Sequence, residues 1–280
     1  MSHPVYPCIW FDGNAAEAAD FYIETFGKGA VTAHNPVVTS ITLSGEPFML
    51  LNGGPMFRPN PSISFYVVCE TVEEVDAAWK KLEQGGQVLM PLGTYPWSSH
   101  YGWIQDKYGV SWQLAFGKMS DVGQKFAPLL LFSGAQNGKA EEALNLYTDI
   151  FPDSISMGIA RYQEGEGDTP GHVKHEQFRI NGFVMMGIDS GHPHPFSFNE
   201  GISLVVSCRN QEEIDHYWEK LTDNGGSESM CGWLKDKFGV SWQIVFDGLG
   251  SLMSSPEQSV RVIERLMKMK KLIIADLENA

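Results

Sequence analysis

The sequence predicts an α+β protein of two tandem domains, each built from two βαβββ units and followed by a C-terminal helix. A long phrase, Gly102–Gln113, returns as Gly232–Gln243, and the apolar run Ser64–Cys69 returns as Ser203–Cys208. Each copy also runs strand, helix, three strands, and then the same again, as judged from apolar periodicity and helix-capping residues. A repeat of this length indicates two copies of one fold.

The elements of the first copy follow in a regular order. Its two helices begin at Asn14 and Thr71, each of which has Glu three residues later, the pattern of a capping box. Glycines end them, at Gly27 and at Gly85-Gly86. Strands are predicted at residues 7–11, 30–35, 38–43, 48–52, 63–69, 88–90, 102–105 and 110–116.

The second copy repeats this plan. A helix over 139–151 ends at Pro152, and another begins at the capping box that Asn210 opens. Strands are predicted at 129–132, 156–162, 173–180, 183–188, 202–208, 232–235 and 240–246. Residues 117–124 join the copies, so the domains are expected at 1–120 and 125–248.

A last element is predicted at 255–279. Ser255 as N-cap and Pro256 as first helical residue are a strong start signal. Apolar residues from Val260 to Leu277 lie on one face. We expect this helix to pack across its own chain or a homodimer mate; a membrane-surface or partner helix is the alternative.

Composition narrows the class of protein. The formal net charge is −14, which argues against a nucleic-acid binder that relies on basic patches. No apolar run reaches the ~20 residues of a membrane span, and the N-terminus lacks signal-peptide features. The four cysteines form no Cys-x-x-Cys pair, so free thiols in a cytoplasmic protein are expected.

The βαβββ plan, together with Asp-Lys-aromatic-Gly-Val-Ser-Trp-Gln, resembles the PhnB-like branch of the vicinal oxygen chelate superfamily. This superfamily includes glyoxalase I, bleomycin and fosfomycin resistance proteins and extradiol dioxygenases, and the branch is often labelled 3-demethylubiquinone-9 3-methyltransferase. The resemblance implies tandem glyoxalase-like domains with curved mixed sheets that enclose cavities, and copies that pair as an intrachain pseudo-dimer. Methyl transfer is not expected, because no Gly-rich strand-to-helix turn follows a strand.

The same resemblance implies where metal ligands would lie. The first-strand positions fall near Pro7, Ser64, Pro128 and Ser203, and the last-strand positions fall on Gln113 and Gln243. None offers the imidazole or carboxylate that divalent ions prefer, so no metal cofactor is predicted. Strand alternation places Gln113 in the cavity, and the residues expected to bind a small-molecule ligand are Gln113, Gln243, Ser111, Ser241, Trp103, Trp233, Ser64 and Ser203.

Other residues support an alternative. His172, His175, His192 and His194 could hold a divalent metal in the second copy, although their spacing favours incidental surface positions. Lys174, Glu176 and His175 are the candidates for acid–base chemistry. The extra segment of the first copy carries Tyr95, Trp97 and His100, which form either a lid or an interface brace.

Two functions remain open from the sequence. One is a metal-free protein that binds a small molecule in an aromatic and apolar cavity, oriented by the two glutamines. The other is an enzyme acting on a small organic substrate through a rearranged metal site or acid–base residues. Metal-independent binding would favour the first, and stoichiometric metal would favour the second.

Overall fold

The computed structural model describes residues 5–253 and 255–280, which form two compact units. Of the described residues, the first unit comprises 7–202 and the second comprises 5–6, 203–253 and 255–280. Strands and helices follow the predicted βαβββ plan four times along the chain. No helix in the described ranges is long and apolar enough to cross a membrane.

The first compact unit holds three βαβββ units and a short linking helix. The first βαβββ unit comprises β1 (Val5–Phe11), α1 (Ala15–Phe26), β2 (Gly29–His34), β3 (Val38–Leu43) and β4 (Glu46–Asn52). The second comprises β5 (Ile63–Cys69), α2 (Val72–Leu82), β6 (Gln87–Tyr95), β7 (Ser98–Gln105) and β8 (Ser111–Phe116). After α3 (Met119–Val122), the third comprises β9 (Phe126–Ser133), α4 (Ala140–Ile150), β10 (Ile155–Arg161), β11 (Val173–Ile180) and β12 (Phe183–Ser190).

The second compact unit holds the fourth βαβββ unit and the tail. Its elements are β13 (Ile202–Cys208), α5 (Gln211–Thr222), β14 (Ser227–Glu228), β15 (Trp233–Lys235), β16 (Ser241–Phe246), α6 (Leu249–Leu252), α7 (Pro256–Leu266) and α8 (Ile274–Glu278).

Eight strands of the first compact unit form a mixed sheet with the order β10-β11-β12-β9-β5-β8-β7-β6, which we call the central sheet. The same unit also pairs its strands in the order β1-β4-β3-β2. The second compact unit pairs its strands in the order β14-β15-β16-β13.

The central sheet holds two βαβββ units, and these come from different copies of the repeat. Its halves join where β5 pairs antiparallel with β9, with Ser64 opposite Leu129 and Tyr66 opposite Ala127. We expected the two units of one copy to share a sheet. The repeat makes the four units alike, and likeness does not specify which two share a sheet, so this pairing is a finding of the structure.

The repeated phrase encodes a turn held by a buried aspartate. One carboxylate oxygen of Asp106 accepts from the backbone N–H groups of Tyr108 (2.8 Å) and Val110 (3.0 Å). The other accepts from the Trp112 indole (2.8 Å) and the Tyr22 hydroxyl of α1 (2.9 Å).

In the fourth βαβββ unit, Asp236 accepts in the same way from the backbone N–H groups of Phe238 (2.9 Å) and Val240 (3.0 Å) and from the Trp242 indole (2.9 Å). The phrase is therefore explained by the fold, because it satisfies a buried carboxylate and anchors the core tryptophan.

Three of the four helix N-caps predicted from the sequence form in the structure. Thr71, Asn210 and Ser255 accept the predicted capping bonds from the backbone N–H three residues later. The prediction for Asn14 is wrong: its side chain makes no capping bond, and Asn52 at the end of β4 accepts from the N–H of Ala15 instead, at 2.9 Å.

The tail, expected as one helix over 255–279, forms α7 and α8 with an extended stretch between them. Carbonyls of Met269 and Lys270 accept from the N–H groups of Cys231 and Gly232, and the carbonyl of Leu272 accepts from the Gln211 amide. Leu272 is fully buried. These tertiary contacts outweigh the local helical preference of the segment.

Candidate functional site

The central sheet has one face covered by long helices and one opposite face, which we call the inner face. Trp112 of β8 contacts Tyr22 of α1, and Phe178 of β11 stacks on Tyr147 of α4, so these positions define the helix-covered face. Since strand residues alternate, Gln113 and Gln177 point to the inner face. This matches the alternation predicted for Gln113.

The half of the inner face formed by β9 and β12 is filled with apolar side chains. Leu129, Val184 and Met186 form a buried cluster with Val122 of α3. Gln177 donates to the Val122 carbonyl over 3.2 Å, which fixes α3 against the sheet. The linker between the copies thus covers this half.

The half formed by β5, β7 and β8 carries a polar network. Gln113 donates through Nε2 to the Ser64 hydroxyl (2.8 Å) and accepts at Oε1 from the Tyr101 hydroxyl (2.7 Å). Beside it, the Trp103 indole donates to Ser111 Oγ over 2.6 Å. The structure therefore brings together the four candidates from the first copy and adds Tyr101.

Burial determines what this network can do chemically. Ser64 and Ser111 are fully buried, while Trp103 and the neighbouring Tyr66 are only partly buried. Burial raises the pKa of Tyr66 and of Tyr101, so both phenols stay protonated at neutral pH. The site thus offers neutral hydrogen-bonding groups beside aromatic surface, and no charged side chain belongs to the network.

The extra segment of the first copy forms the tip of the β6–β7 hairpin. Tyr95 stacks on Trp97, with ring centroids 5.2 Å apart, and both rings lie 5.4 Å from Tyr101. His100 instead bonds Asp76 of α2 over 2.7 Å. Tyr95 and Trp97 therefore extend the aromatic surface next to Gln113, and His100 lies outside it.

Tyr101 is the site residue that the sequence analysis does not single out. It lies two residues before Trp103 on β7, so strand alternation puts both on the inner face. That alternation was the available signal, since Tyr101 to Gln105 pair with β8 without a register shift.

The fourth βαβββ unit holds the equivalent residues of the second copy. Gln243 donates to Ser203 Oγ over 2.9 Å, which repeats the Gln113–Ser64 bond. Ser241, however, is buried and its hydroxyl has no hydrogen-bond partner in the described chain. Trp233 is partly buried at the start of β15.

These residues do not fit the divalent metal that the fold family implies. The glutamine and serine pairs offer only neutral oxygens, and each serine oxygen already accepts from the glutamine Nε2. Near Pro128, the residue on the inner face is Leu129, because Pro128 itself lies opposite Phe65 on the helix-covered face. An amide, a hydroxyl and a leucine do not form the imidazole and carboxylate set that such ions select.

The alternative histidine site does not assemble. His172 contacts Asn137 (Nδ1 to Oδ1, 3.3 Å), His194 bonds Ser190 over 2.9 Å, and His192 is exposed. Burial lowers the pKa of His175, which stays neutral on β11. Across residues 5–253 and 255–280, no three His, Cys, Asp or Glu side chains are grouped to hold a metal ion.

The three acid–base candidates also point to different places. Lys174 forms an ion pair with Glu166 at 2.6 Å, and Glu176 lies buried under α4 with its side chain against Gly187. His175 is on the opposite face of the strand. The structure therefore does not bring the three candidates for acid–base chemistry together.

Comparison with known proteins identifies relatives over most of the chain. The sequence profile of the family described as 3-demethylubiquinone-9 3-methyltransferase matches residues 3–115 and again 124–245. No curated protein matches the chain significantly.

Solved structures that are similar to this chain cover either about two fifths of it or most of it. A putative 3-demethylubiquinone-9 3-methyltransferase, PhnB protein, from Bacillus cereus is 38% identical over 40% of this chain and 98% of its own, with a TM-score of 0.38. A Pseudomonas aeruginosa protein is 21% identical over 39% of this chain and 93% of its own, with a TM-score of 0.35. Glyoxalase I from Zea mays is 10% identical over 94% of this chain and 96% of its own, with a TM-score of 0.58, which shows a shared tandem fold.

Proposed function

Because the chain belongs to the 3-demethylubiquinone-9 3-methyltransferase family, within the vicinal oxygen chelate superfamily, we propose that it binds a small organic molecule on the inner face of the central sheet without a metal ion. The observation that carries this proposal is the Gln113 network. It places an amide, two serine hydroxyls and a phenol beside two partly buried aromatic rings. Small-molecule sites combine a few placed polar groups with apolar and aromatic walls in this way.

The chemistry of the network restricts the ligand. Gln113 bonds both Ser64 and Tyr101, so a ligand that contacts Gln113 must exchange one of these bonds for an equal one. An amide or hydroxyl on the ligand can do this, since it both donates and accepts. Trp103, Tyr66 and the aromatic hairpin favour a planar or apolar body for the rest of the molecule.

No comparable arrangement of side chains supports either enzymatic alternative. The acid–base candidates diverge, and the glutamine and serine pairs offer a metal no anionic ligand. Methyl transfer usually relies on a Gly-rich turn in a parallel sheet of alternating strands and helices, whereas the sheets here are mixed and built from βαβββ units. Gly134 and Gly138 do lie between β9 and α4, but in a βαβββ unit and not in such a sheet. The family description therefore serves here as a name and not as a reaction.

The proposal can be tested through the Trp103 indole. Its N–H, bonded to Ser111, gives a resolved signal in ¹H–¹⁵N spectra, assigned by Trp103→Phe, while Trp112 on the other face is an internal control. A set of small planar amides and phenols should contain members that shift the Trp103 signal saturably and leave that of Trp112 unchanged. Gln113→Leu should abolish this response and Gln243→Leu should preserve it. Equal shifts at both indoles, or a response indifferent to Gln113→Leu, would refute this location of the site.

A further inference from the structure

We propose that α7 is a contact surface for a second copy of this chain, in which the two α7 helices pack antiparallel around a two-fold axis at Ile263. The surface is an apolar stripe formed by Val260, Ile263 and Met267, which are 57%, 47% and 61% exposed. Their spacing of three and four residues puts them on one side of the helix. No residue of the Gln113 network belongs to this stripe.

The stripe is separate from the buried side of α7. Val262 is fully buried, and it lies about 100° around the helix from Ile263. Anchoring the helix through Val262 therefore leaves the stripe facing outward. The Cys231 thiol lies 3.6 Å from the Met267 sulfur, and Met230 beside it is exposed, so the apolar surface continues onto the neighbouring turn. A contiguous exposed apolar surface of this kind marks an interaction site.

Four charged side chains along one edge of the stripe are available to a partner. They are exposed and form no ion pair within residues 5–253 and 255–280: Glu257, Arg261, Glu264 and Lys268. The two lysines that follow α7 differ, since Lys270 pairs with Glu228 and Lys271 with Asp215. Unpaired charges beside an apolar stripe form the polar rim that interfaces use to fix orientation.

The order of these charges is self-complementary. Arg261 and Glu264 lie two residues before and one residue after Ile263, and Glu257 and Lys268 lie six before and five after. A two-fold axis at Ile263 reverses the chain direction. It therefore brings Arg261 level with Glu264 of the second copy, and Glu257 level with its Lys268, to within about 1.5 Å, the rise of one residue.

The apolar residues obey the same symmetry. Val260 lies three residues before Ile263 and Met267 lies four after, so each faces the other across the axis, and Ile263 faces itself. A two-fold contact uses the same patch on both copies and closes at the dimer. The stripe and its charged edge thus fit one partner, a second α7 running in the opposite direction.

The charge pattern favours a second copy over a membrane surface. Helices that lie on membranes carry mostly lysine and arginine on their polar face. The edge of this stripe has two acidic and two basic residues, and the whole chain has a net charge of −14. Because α7 has only 11 residues, the contact is small, and we expect a weak, reversible dimer with a Kd of about 10–500 µM.

Sedimentation equilibrium of the full-length chain, from about 5 to about 500 µM, tests the proposal. The weight-average mass should rise reversibly from that of the monomer towards that of the dimer, and not beyond it. The association should weaken at high salt, because the edge charges lie at the solvent-exposed rim.

Ile263→Glu places two carboxylates together on the axis, so it should lower the association constant at least tenfold. Because Ile263 is exposed, the unfolding temperature should stay unchanged. Val31→Glu is the matched control, since Val31 on β2 is 46% exposed and lies outside the stripe. It should leave the association unchanged.

Charge reversal tests the antiparallel arrangement. Glu264→Arg puts two arginines level with each other and should weaken association several-fold. Adding Arg261→Glu restores opposite charges across the axis, so the double variant should recover the affinity of the wild type. Glutamate and arginine have similar helix propensities, so α7 is retained in both variants.

The outcomes are distinct. A monomer at every concentration, or a dimer unaffected by Ile263→Glu, would overturn the proposal. A double variant that stays weak would overturn the antiparallel arrangement. Binding of the monomer to vesicles of phosphatidylcholine and phosphatidylserine, lost in Ile263→Glu, would assign the stripe to a membrane instead. Because the stripe and the Gln113 network share no residue, none of these results bears on the inner-face site.

Discussion

Replacing Glu176 by Gln should remove a pH-dependent loss of stability that the fold carries at neutral pH. Glu176 is 1% exposed, one of its oxygens has no hydrogen-bond partner in the described chain, and Asp189 lies nearby. Burial, reinforced by the Asp189 charge, raises its pKa from 4.5 to about 8. The folded protein therefore holds a proton that the unfolded chain releases above pH 4.5.

The sign and size follow from this difference. Between pH 4.5 and 8 the folded state binds more protons, so the free energy of unfolding falls as pH rises. At ~1.36 kcal/mol per pH unit, the loss reaches about 3 kcal/mol by pH 7 and approaches about 5 kcal/mol above pH 8. Gln does not ionise, and its buried NH2 donors should cost about 1–2 kcal/mol at all pH values.

Urea unfolding of both proteins from pH 5 to pH 8 measures the effect. Glu176→Gln should be slightly less stable than the wild type at pH 5 and more stable at pH 8. Asp106 and Glu46 also have raised pKa values, about 6 and about 7, but they contribute equally to both proteins and cancel in the difference. A stability difference that stays constant across this pH range would refute the buried, protonated state of Glu176.

Three further predictions concern the core, the thiols and the inner face. Asp106→Asn should cost about 2–4 kcal/mol of stability, because its NH2 would face donors that now bond a carboxylate; an unfolding temperature like that of wild type would contradict this. At pH 8 the partly exposed thiol of Cys231 should react with a chromogenic disulfide before the other three, although burial raises its pKa as well and slows the reaction. Burial protects Cys8, Cys69 and Cys208, and more than one accessible thiol per chain would count against the fold described. Tyr101→Phe should lower the affinity about fivefold for any ligand that shifts the Trp103 signal, and should change the free energy of unfolding by only about 1 kcal/mol. An unchanged affinity would show that Tyr101 does not belong to the site.

The sequence determined much of the local structure but not how the units associate. Four βαβββ units could be predicted because periodicity and capping residues are local signals, and Thr71, Asn210 and Ser255 cap as expected. The junction between β5 and β9 could not, because the repeat leaves four similar units with no local preference. The prediction of a single tail helix was wrong for a related reason, because residues 269–272 form hydrogen bonds with groups distant in sequence.

The site was predicted in part, for the same physical reason. Alternation along β8 places Gln113 on the inner face, and the register then brings it to Ser64. The hydroxyl of Tyr101 and the covering of the adjacent half by Val122 depend on tertiary contacts that no local pattern reports. Closeness in sequence can also mislead, because neighbouring residues on a strand point to opposite faces of the sheet. His175 is separated in this way from Lys174 and Glu176.

The central claim is that a small organic molecule binds at the Gln113 network without a metal ion. The most direct measurement is native mass spectrometry of untagged protein, before and after exhaustive treatment with EDTA, followed by comparison with Gln113→Leu. The account predicts an organic adduct that survives EDTA, carries no divalent ion, and disappears in Gln113→Leu. One tightly held divalent ion per chain, with loss of the adduct when that ion is removed, would contradict it.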